Sequence, residues 1–120
     1  MHMKRNMDLI REILLRIEDN SFLKSVPEHT PEEIAYHVSL LEGAGLVTQE
    51  FYQNLYLNNS MLEGIRITWA GHEFLDASRN TSFWEKAKRI SLEKTGALSF
   101  EVLKSILVQL GKDALSNIAT

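Results

Sequence analysis

The most constraining feature of this chain is a segment with a marked helix start and a marked helix end. Thr30 offers a hydroxyl cap, the proline after it lies where no backbone donor is needed, and Glu33 is placed to bond back to the cap. The Gly-Ala-Gly sequence at residues 43–45 then gives the backbone the freedom to leave the helix. The segment therefore predicts one helix from Thr30 to about Ala44, with separate elements on either side.

The residues before this helix predict another helix and a loop. Apolar residues recur at three- and four-residue spacing from Met7 to Ile17, which is typical of a helix with one buried stripe. The stripe consists of Met7, Ile10, Ile13, Leu14 and Ile17. Residues 20–30 mix apolar and polar side chains around Pro27, so we expect a loop with at most one brief strand.

The residues after it predict a β-hairpin and a third helix. The run from Val47 to Thr68 is rich in β-branched and aromatic residues, and Asn-Asn-Ser at residues 58–60 interrupts it. Thr68 is suited to cap the next helix. The buried side of that helix is expected to carry Ala70, Phe74 and Ala77, flanked by Trp69 and Leu75. We expect Trp69 and Trp84 both to pack in the core.

Two more helices are predicted towards the C-terminus. The first opens near Thr81 or Ser82 and ends at Gly96, and the second is capped by Ser99. The first is expected to bury Phe83, Ala87 and Ile90. The second carries a long apolar stripe of Phe100, Leu103, Ile106, Leu107, Leu110, Ala114 and Ile118. Val108 and Leu115 form a lesser apolar line beside it, which suggests a partner surface.

Several motifs resemble known families. LLEGAGLV, followed by a hairpin and IRITWAGHEFLD, resembles bacterial winged-helix regulators, in which a recognition helix ends in Leu-Leu-x-x-x-Gly-Leu and a Thr-x-x-Gly helix follows. The wider set MKRNMDLIREILLRIE, YHVSLLEGAGL, ITWAGHEFLD and SFEVLKSIL resembles a family of small bacterial and phage proteins, a domain of unknown function, from Met3 to about Leu110. That resemblance implies no assigned activity.

The predicted fold class is α+β and mostly α. The resemblance implies a winged-helix-like core with a β-hairpin wing over residues 3–79. The two C-terminal helices, residues 80–120, are expected to form a helical extension packed on the same domain. A length of 120 residues with 44% hydrophobic content suits one domain with a real core.

The charge distribution disfavours DNA binding. From Ser25 to Ile65 the chain contains no Lys or Arg, while six glutamates fall in the same stretch: Glu28, Glu32, Glu33, Glu42, Glu50 and Glu63. Proteins gain most of their nucleic-acid affinity by neutralising phosphates with Lys and Arg. The stretch also holds one predicted helix where a helix-turn-helix needs two. The net charge of -3 predicts little general attraction to polyanions or anionic membranes.

The sequence offers no constellation typical of an enzyme. It has no Cys, no Gly-rich phosphate loop and no nucleophile elbow. The pairs Glu33/His37 and His72/Asp76 have helical i,i+4 spacing, but each lacks a third metal ligand. We expect no catalytic residues, no metal and no cofactor. No apolar run is long enough to span a membrane and no signal peptide is evident, so the expected location is the cytoplasm.

Two sets of surface residues are candidates for contacts. The candidates for a partner or nucleic acid are Glu32, Tyr36 and Ser39 on the outward face of the Thr30–Ala44 helix, and Lys86, Lys88 and Arg89 further on. The three cations scatter around their helix near Glu85 and Glu93, which favours a salt-paired surface. The candidates for an oligomer contact are Leu103, Ile106, Leu107, Val108, Leu110 and Leu115. If the main stripe is used in the core, Val108 and Leu115 are favoured.

The sequence therefore favours a cytoplasmic protein-interaction or regulatory module. Its partner would be a second copy of the chain or another protein, and no membrane contact is expected. The alternative is a DNA-binding transcriptional regulator, which the winged-helix resemblance alone implies.

Overall fold

The fold was analysed in a computed structural model, which describes residues 3–19, 26, 28–49 and 64–119. Helices make up most of the described chain, and one pair of short strands runs antiparallel. The elements are α1 (Met7–Glu18), α2 (Pro31–Gly43), β1 (Val47–Gln49), β2 (Ile65–Ile67), α3 (Trp69–Ser78), α4 (Thr81–Thr95) and α5 (Phe100–Ala119). This arrangement confirms the predicted α+β, mostly α class.

Helix α1 forms where the apolar spacing predicts it. The Asn6 side chain caps it by accepting a hydrogen bond from the Leu9 N–H at 3.1 Å. Four residues of the predicted stripe are buried: Met7, Ile10, Ile13 and Leu14. Ile17 is half-buried and Leu9, which lies outside the predicted stripe, is buried. The helix thus presents a broader apolar face than its sequence predicts.

Helix α2 begins with the predicted capping box. The Thr30 hydroxyl accepts from the Glu33 N–H at 3.1 Å, and the Glu33 carboxylate accepts from the Thr30 N–H at 3.3 Å. The helix ends at Gly43, after which Gly45 has a φ of 77° that favours glycine. The buried residues of this helix are Ile34, His37, Val38 and Leu41.

The two strands pair with Val47 opposite Ile67 and Gln49 opposite Ile65. Val47 and Ile65 are buried, so one face of the strand pair packs against the core. The middle of the predicted hairpin, including residues 58–60, lies outside the described residues, as does most of the predicted loop at residues 20–30.

Thr68 joins the start of α3 to the corner between α2 and β1. Its hydroxyl donates to the Gly45 carbonyl at 2.6 Å and accepts from the Gly71 N–H at 3.0 Å, which confirms the predicted cap. The Thr68 N–H donates to the Leu46 carbonyl at 3.0 Å. Gly71 lies against the same carbonyl, so closely that a Cβ would overlap it. The absence of a side chain at Gly71 is what lets α3 approach β1.

Trp69 does not pack in the core, and that prediction is wrong. The first residue of α3 is 81% exposed. Gly71 fixes the side of α3 that faces β1, and Trp69 lies two residues earlier, about 200° away around the helix. The tryptophan therefore points away from the packed side.

The contacts group the chain into two compact units, residues 1–72 and 73–120. In the second unit, Phe74 packs edge-on against Trp84 at 6.1 Å between ring centroids and lies 4.9 Å from Phe100. Trp84 is 1% exposed, which confirms its predicted place in the core. The expected packing of residues 80–120 on a domain of residues 3–79 stays a prediction.

Helix α4 begins and ends where the sequence predicts, and α5 begins at its predicted cap. Asn80 caps α4 by accepting from the Phe83 N–H at 3.0 Å, and Gly96 ends it. Ser99 caps α5 by accepting from the Val102 N–H at 3.1 Å. Of the residues expected to be buried on α4, Ala87 is buried, while Phe83 and Ile90 are half-buried.

Candidate interaction surfaces

The outward face of α2 carries the three predicted contact residues, but these side chains differ in their exposure and in their contacts within the helix. Glu32 and Ser39 are exposed. Tyr36 is half-buried, and its ring packs edge-on against His37 at 5.4 Å. The Ser39 hydroxyl donates to the Tyr36 carbonyl of the same helix at 2.6 Å. Glu32 is therefore the most available of the three side chains.

This face is acidic where a DNA-reading helix would be basic. The first turn of α2 carries Glu32 and Glu33, and Glu42 is exposed near its other end. Between residues 28 and 49 the chain has no Lys or Arg, and the next cation is Arg66 on β2. Phosphate groups would meet negative charge at both ends of this helix and no cation between them.

Glu33 is held in its charged form at the start of α2. Its carboxylate lies 3.2 Å from His29 Nδ1 and accepts from the Thr30 backbone N–H. The hydrogen bond to His29 and then the one to Thr30 lower the pKa of Glu33 from its ordinary value of 4.5. The ionised carboxylate thus stabilises the folded start of the helix.

We predict that Glu33→Gln reduces the free energy of unfolding most near neutral pH. The native pKa of Glu33 is lowered, so its contribution is complete above 4.5 and is lost as pH falls through the lower native value. Glutamine keeps the capping-box hydrogen bond, so the comparison isolates the charge. Urea unfolding of both proteins between neutral and acidic pH should show the gap closing in acid. Glu32→Gln, from the same turn, is the control, and a gap that persists in acid would contradict the prediction.

His37 is a structural residue and is not placed to bind a metal. It is 1% exposed, and both ring nitrogens are used: Nδ1 lies 2.7 Å from the Glu33 carbonyl, and Nε2 accepts from the Asn6 N–H at 2.8 Å. The Glu33 carbonyl can only accept, so this geometry suits a donor at Nδ1 and an acceptor at Nε2. No group of three metal-ligating side chains occurs among the residues that the structure describes.

The second predicted pair does not form a site either. His72 is exposed, and Asp76 pairs with Arg79 at 3.0 Å. Asp76 is therefore used in a surface ion pair one turn away from the imidazole.

The predicted basic residues of α4 do not come together. Lys88 is half-buried, 3.3 Å from the Glu85 carboxylate and 5.8 Å from the centre of the Trp84 ring. Lys86 and Arg89 are exposed on the other side of the helix. Of the three predicted cations on α4, Lys86 and Arg89 are the more accessible to a polyanion.

The α5 candidates divide into core and surface residues. Leu103 and Leu107 are 0% and 1% exposed because this side of α5 packs in the second unit, where α4 and α5 are in contact. A contact through these two residues is therefore not available to a partner. Ile106 and Leu110 are half-buried, whereas Val108 is 42% and Leu115 67% exposed. Val108 and Leu115 are therefore the apolar residues of α5 that a partner could reach. These are the two residues that the sequence favours if the main apolar stripe is used in the core.

Three features of the surface were not predicted from the sequence. Leu92 on α4 is 50% exposed, and Trp69 is exposed instead of buried. Glu101 and Lys112 are exposed on the same side of α5 as Val108 and Leu115. Glu101 lies seven residues before Val108, and Lys112 lies four residues after it. Residues at these spacings share one side of a helix, so the sequence alone contains the signal that places them in one stripe.

Comparisons with known proteins identify the family. A family profile described as "Hypothetical protein (DUF2513)" matches residues 4–97. The chain belongs to this family. An uncharacterized protein of Haemophilus influenzae is 37% identical over 110 residues, which cover 87% of this chain and 92% of the relative. No solved structure matches the chain.

The family match confirms the predicted resemblance to a small domain of unknown function. Its residues include α1 to α4 and end before α5 begins at Phe100. The helix with the exposed stripe thus lies beyond the matched segment. No described helix combines the length and apolar character needed to cross a membrane.

Proposed function

We propose that this protein is a non-enzymatic, cytoplasmic protein-interaction or regulatory module with a winged-helix-like core. In this proposal α2 occupies the place of a recognition helix, and β1 and β2 form the base of the wing. The module would act by binding another protein surface and not by reading DNA.

The observation that carries the proposal is the charge of α2. A recognition helix enters the major groove between two phosphate backbones, and Lys and Arg contacts to phosphates supply much of a DNA-binding protein's affinity. The exposed side of α2 offers Glu32 and Glu42 instead. Such a surface opposes approach to DNA and suits a partner without dense negative charge.

The exposed tryptophan supports a protein partner. Tryptophan is enriched among the residues that dominate the affinity of protein interfaces. Trp69 is 81% exposed, and the backbone around it is held by the cap at Thr68 and the close packing of Gly71. A large, exposed aromatic side chain on an ordered helix start can anchor a contact with another protein.

A duplex-DNA titration by fluorescence anisotropy tests the proposal. We predict a Kd weaker than about 100 µM at an ionic strength of about 0.15 M, because even non-specific binding depends on released counterions. Low-micromolar or tighter binding at that salt concentration would refute the proposal. The double variant Glu32→Lys, Ser39→Lys should bind more tightly than the wild type at low salt if α2 has the shape of a recognition helix.

The alternative function, a DNA-binding regulator, is favoured by Lys86 and Arg89. Both are exposed on α4. If the titration finds duplex binding, the Lys86→Ala, Arg89→Ala double variant should weaken it. The slope of log Kd against log salt concentration should also fall, by the amount expected for the loss of about two phosphate contacts. Binding that is insensitive to these changes would remove α4 from the interface.

A further inference from the structure

The exposed residues of α5 form one continuous line. Glu101, Ser105, Val108, Lys112 and Leu115 are all exposed and follow one another at alternating steps of four and three residues. This spacing averages 3.5 residues, the repeat that keeps a stripe of one helix facing a second helix. We call these five residues the α5 stripe. It lies opposite the buried Leu103 and Leu107.

The two charges of the α5 stripe form no ion pair with each other or with their neighbours on the described part of α5. Glu101 and Lys112 belong to no ion pair found among the residues that the structure describes. They are separated by about 16 Å along α5, which is too far for a direct contact. One turn from Glu101 lie Lys104 and Ser105, and the Lys104 ammonium group lies over the Phe100 ring at 5.9 Å. Four residues from Lys112 on either side lie Val108 and Ser116, which carry no charge.

We propose that a second copy of this chain docks on the α5 stripe in the antiparallel direction. An antiparallel alignment that places Glu101 opposite Lys112 of the second copy also places Ser105 opposite Val108. The same alignment brings Leu115 to the level of Leu98, the apolar residue just before α5. By two-fold symmetry each of these pairs occurs twice. This inference rests on the proposed interaction function and names its partner.

The charges select the antiparallel direction. A parallel alignment would place Glu101 opposite Glu101 and Lys112 opposite Lys112, which are repulsive pairs. In the antiparallel alignment both charged pairs are attractive. Within α5 the contact spans about 21 Å of helix, from Glu101 to Leu115. It therefore falls at the small end of specific interfaces, and the dimer should dissociate at low protein concentration.

Sedimentation velocity over a range of protein concentrations tests the inference. We expect a monomer–dimer equilibrium for the wild type at low salt. Glu101→Lys alone should raise the dimer Kd about tenfold, because symmetry replaces two exposed attractions with two repulsions. Lys112→Glu alone should do the same. The double variant Glu101→Lys, Lys112→Glu should restore the wild-type Kd, and Lys94→Glu, an exposed charge outside the stripe, should leave it unchanged.

Engineered cysteines test the alignment directly. The chain has no Cys, so any disulfide must come from the introduced residues. Mixing Ser105→Cys with Val108→Cys protein should give the mixed disulfide in clear excess over either homodimer. A predominance of the homodimers would refute the alignment.

The possible failures are distinguishable. A strict monomer at the highest concentration, or a dimer insensitive to both single charge reversals, would refute the α5 contact. Either result would leave the proposed protein-interaction function standing with a different partner. Tight duplex binding would refute that function while leaving self-association through α5 intact.

Discussion

Gly71→Ala should destabilise the first unit by about 3 kcal/mol or more. An added Cβ would overlap the Leu46 carbonyl oxygen and stand 2.6 Å from Ile67 Cγ2. The carbonyl belongs to the backbone and already accepts the Thr68 N–H, so it cannot move aside without weakening that bond. The overlap can be relieved only if the start of α3 moves away from β1. That movement would also stretch the hydrogen bond from the Thr68 hydroxyl to the Gly45 carbonyl.

Chemical unfolding followed by far-UV circular dichroism measures this effect. Gly43→Ala is the matched control, because it lies in the same unit, in a helix, with no atom within 4 Å of the added Cβ. That variant should keep the wild-type stability or gain up to about 1 kcal/mol from reduced backbone entropy. Equal unfolding midpoints for the two variants would contradict the proposed role of Gly71.

Trp84→Ala should cost the second unit about 3–5 kcal/mol. The side chain is 1% exposed and packs edge-on against Phe74, so its removal leaves a large cavity and breaks an aromatic pair. Lys88 would also lose the ring that it lies over. We expect loss of the near-UV circular dichroism signal as the aromatic cluster becomes less ordered.

Trp69→Ala is the control within the same chain. It removes the same side chain from a position that is 81% exposed, so its effect should stay within about 0.5 kcal/mol. The fluorescence of each single-tryptophan protein gives a second measurement: Trp84 should emit at shorter wavelength than Trp69. Similar losses of stability for the two variants would show that the aromatic cluster is not central to the second unit.

The sequence predicts the local parts of this fold well. The cap at Thr30 and the stop at Gly96 each depend on hydrogen bonds or dihedral angles within a few residues. Such signals are complete in the sequence itself. The buried apolar faces of α1 and α5 also follow from the spacing of apolar residues in the sequence. Leu103 and Leu107, for example, lie in the core as that spacing predicts.

The errors concern contacts between distant residues. The position of Trp69 depends on which side of α3 meets β1, and that choice is made by Gly71 against Leu46, 25 residues earlier in the chain. No local pattern contains this information. The α5 stripe likewise combines two charges with two apolar residues, so its apolar periodicity is weak until the exposure of each residue is known.

The hydrogen bonds of His37 tie the formation of two helices together. The N–H of Asn6, the residue that caps α1, finds its acceptor on the imidazole of α2, 31 residues further along the chain. Until α2 is in place, that N–H has only water as a partner. Folding of the N-terminal part should accordingly be cooperative, with α1 acquiring its final first turn in the same step that encloses the histidine.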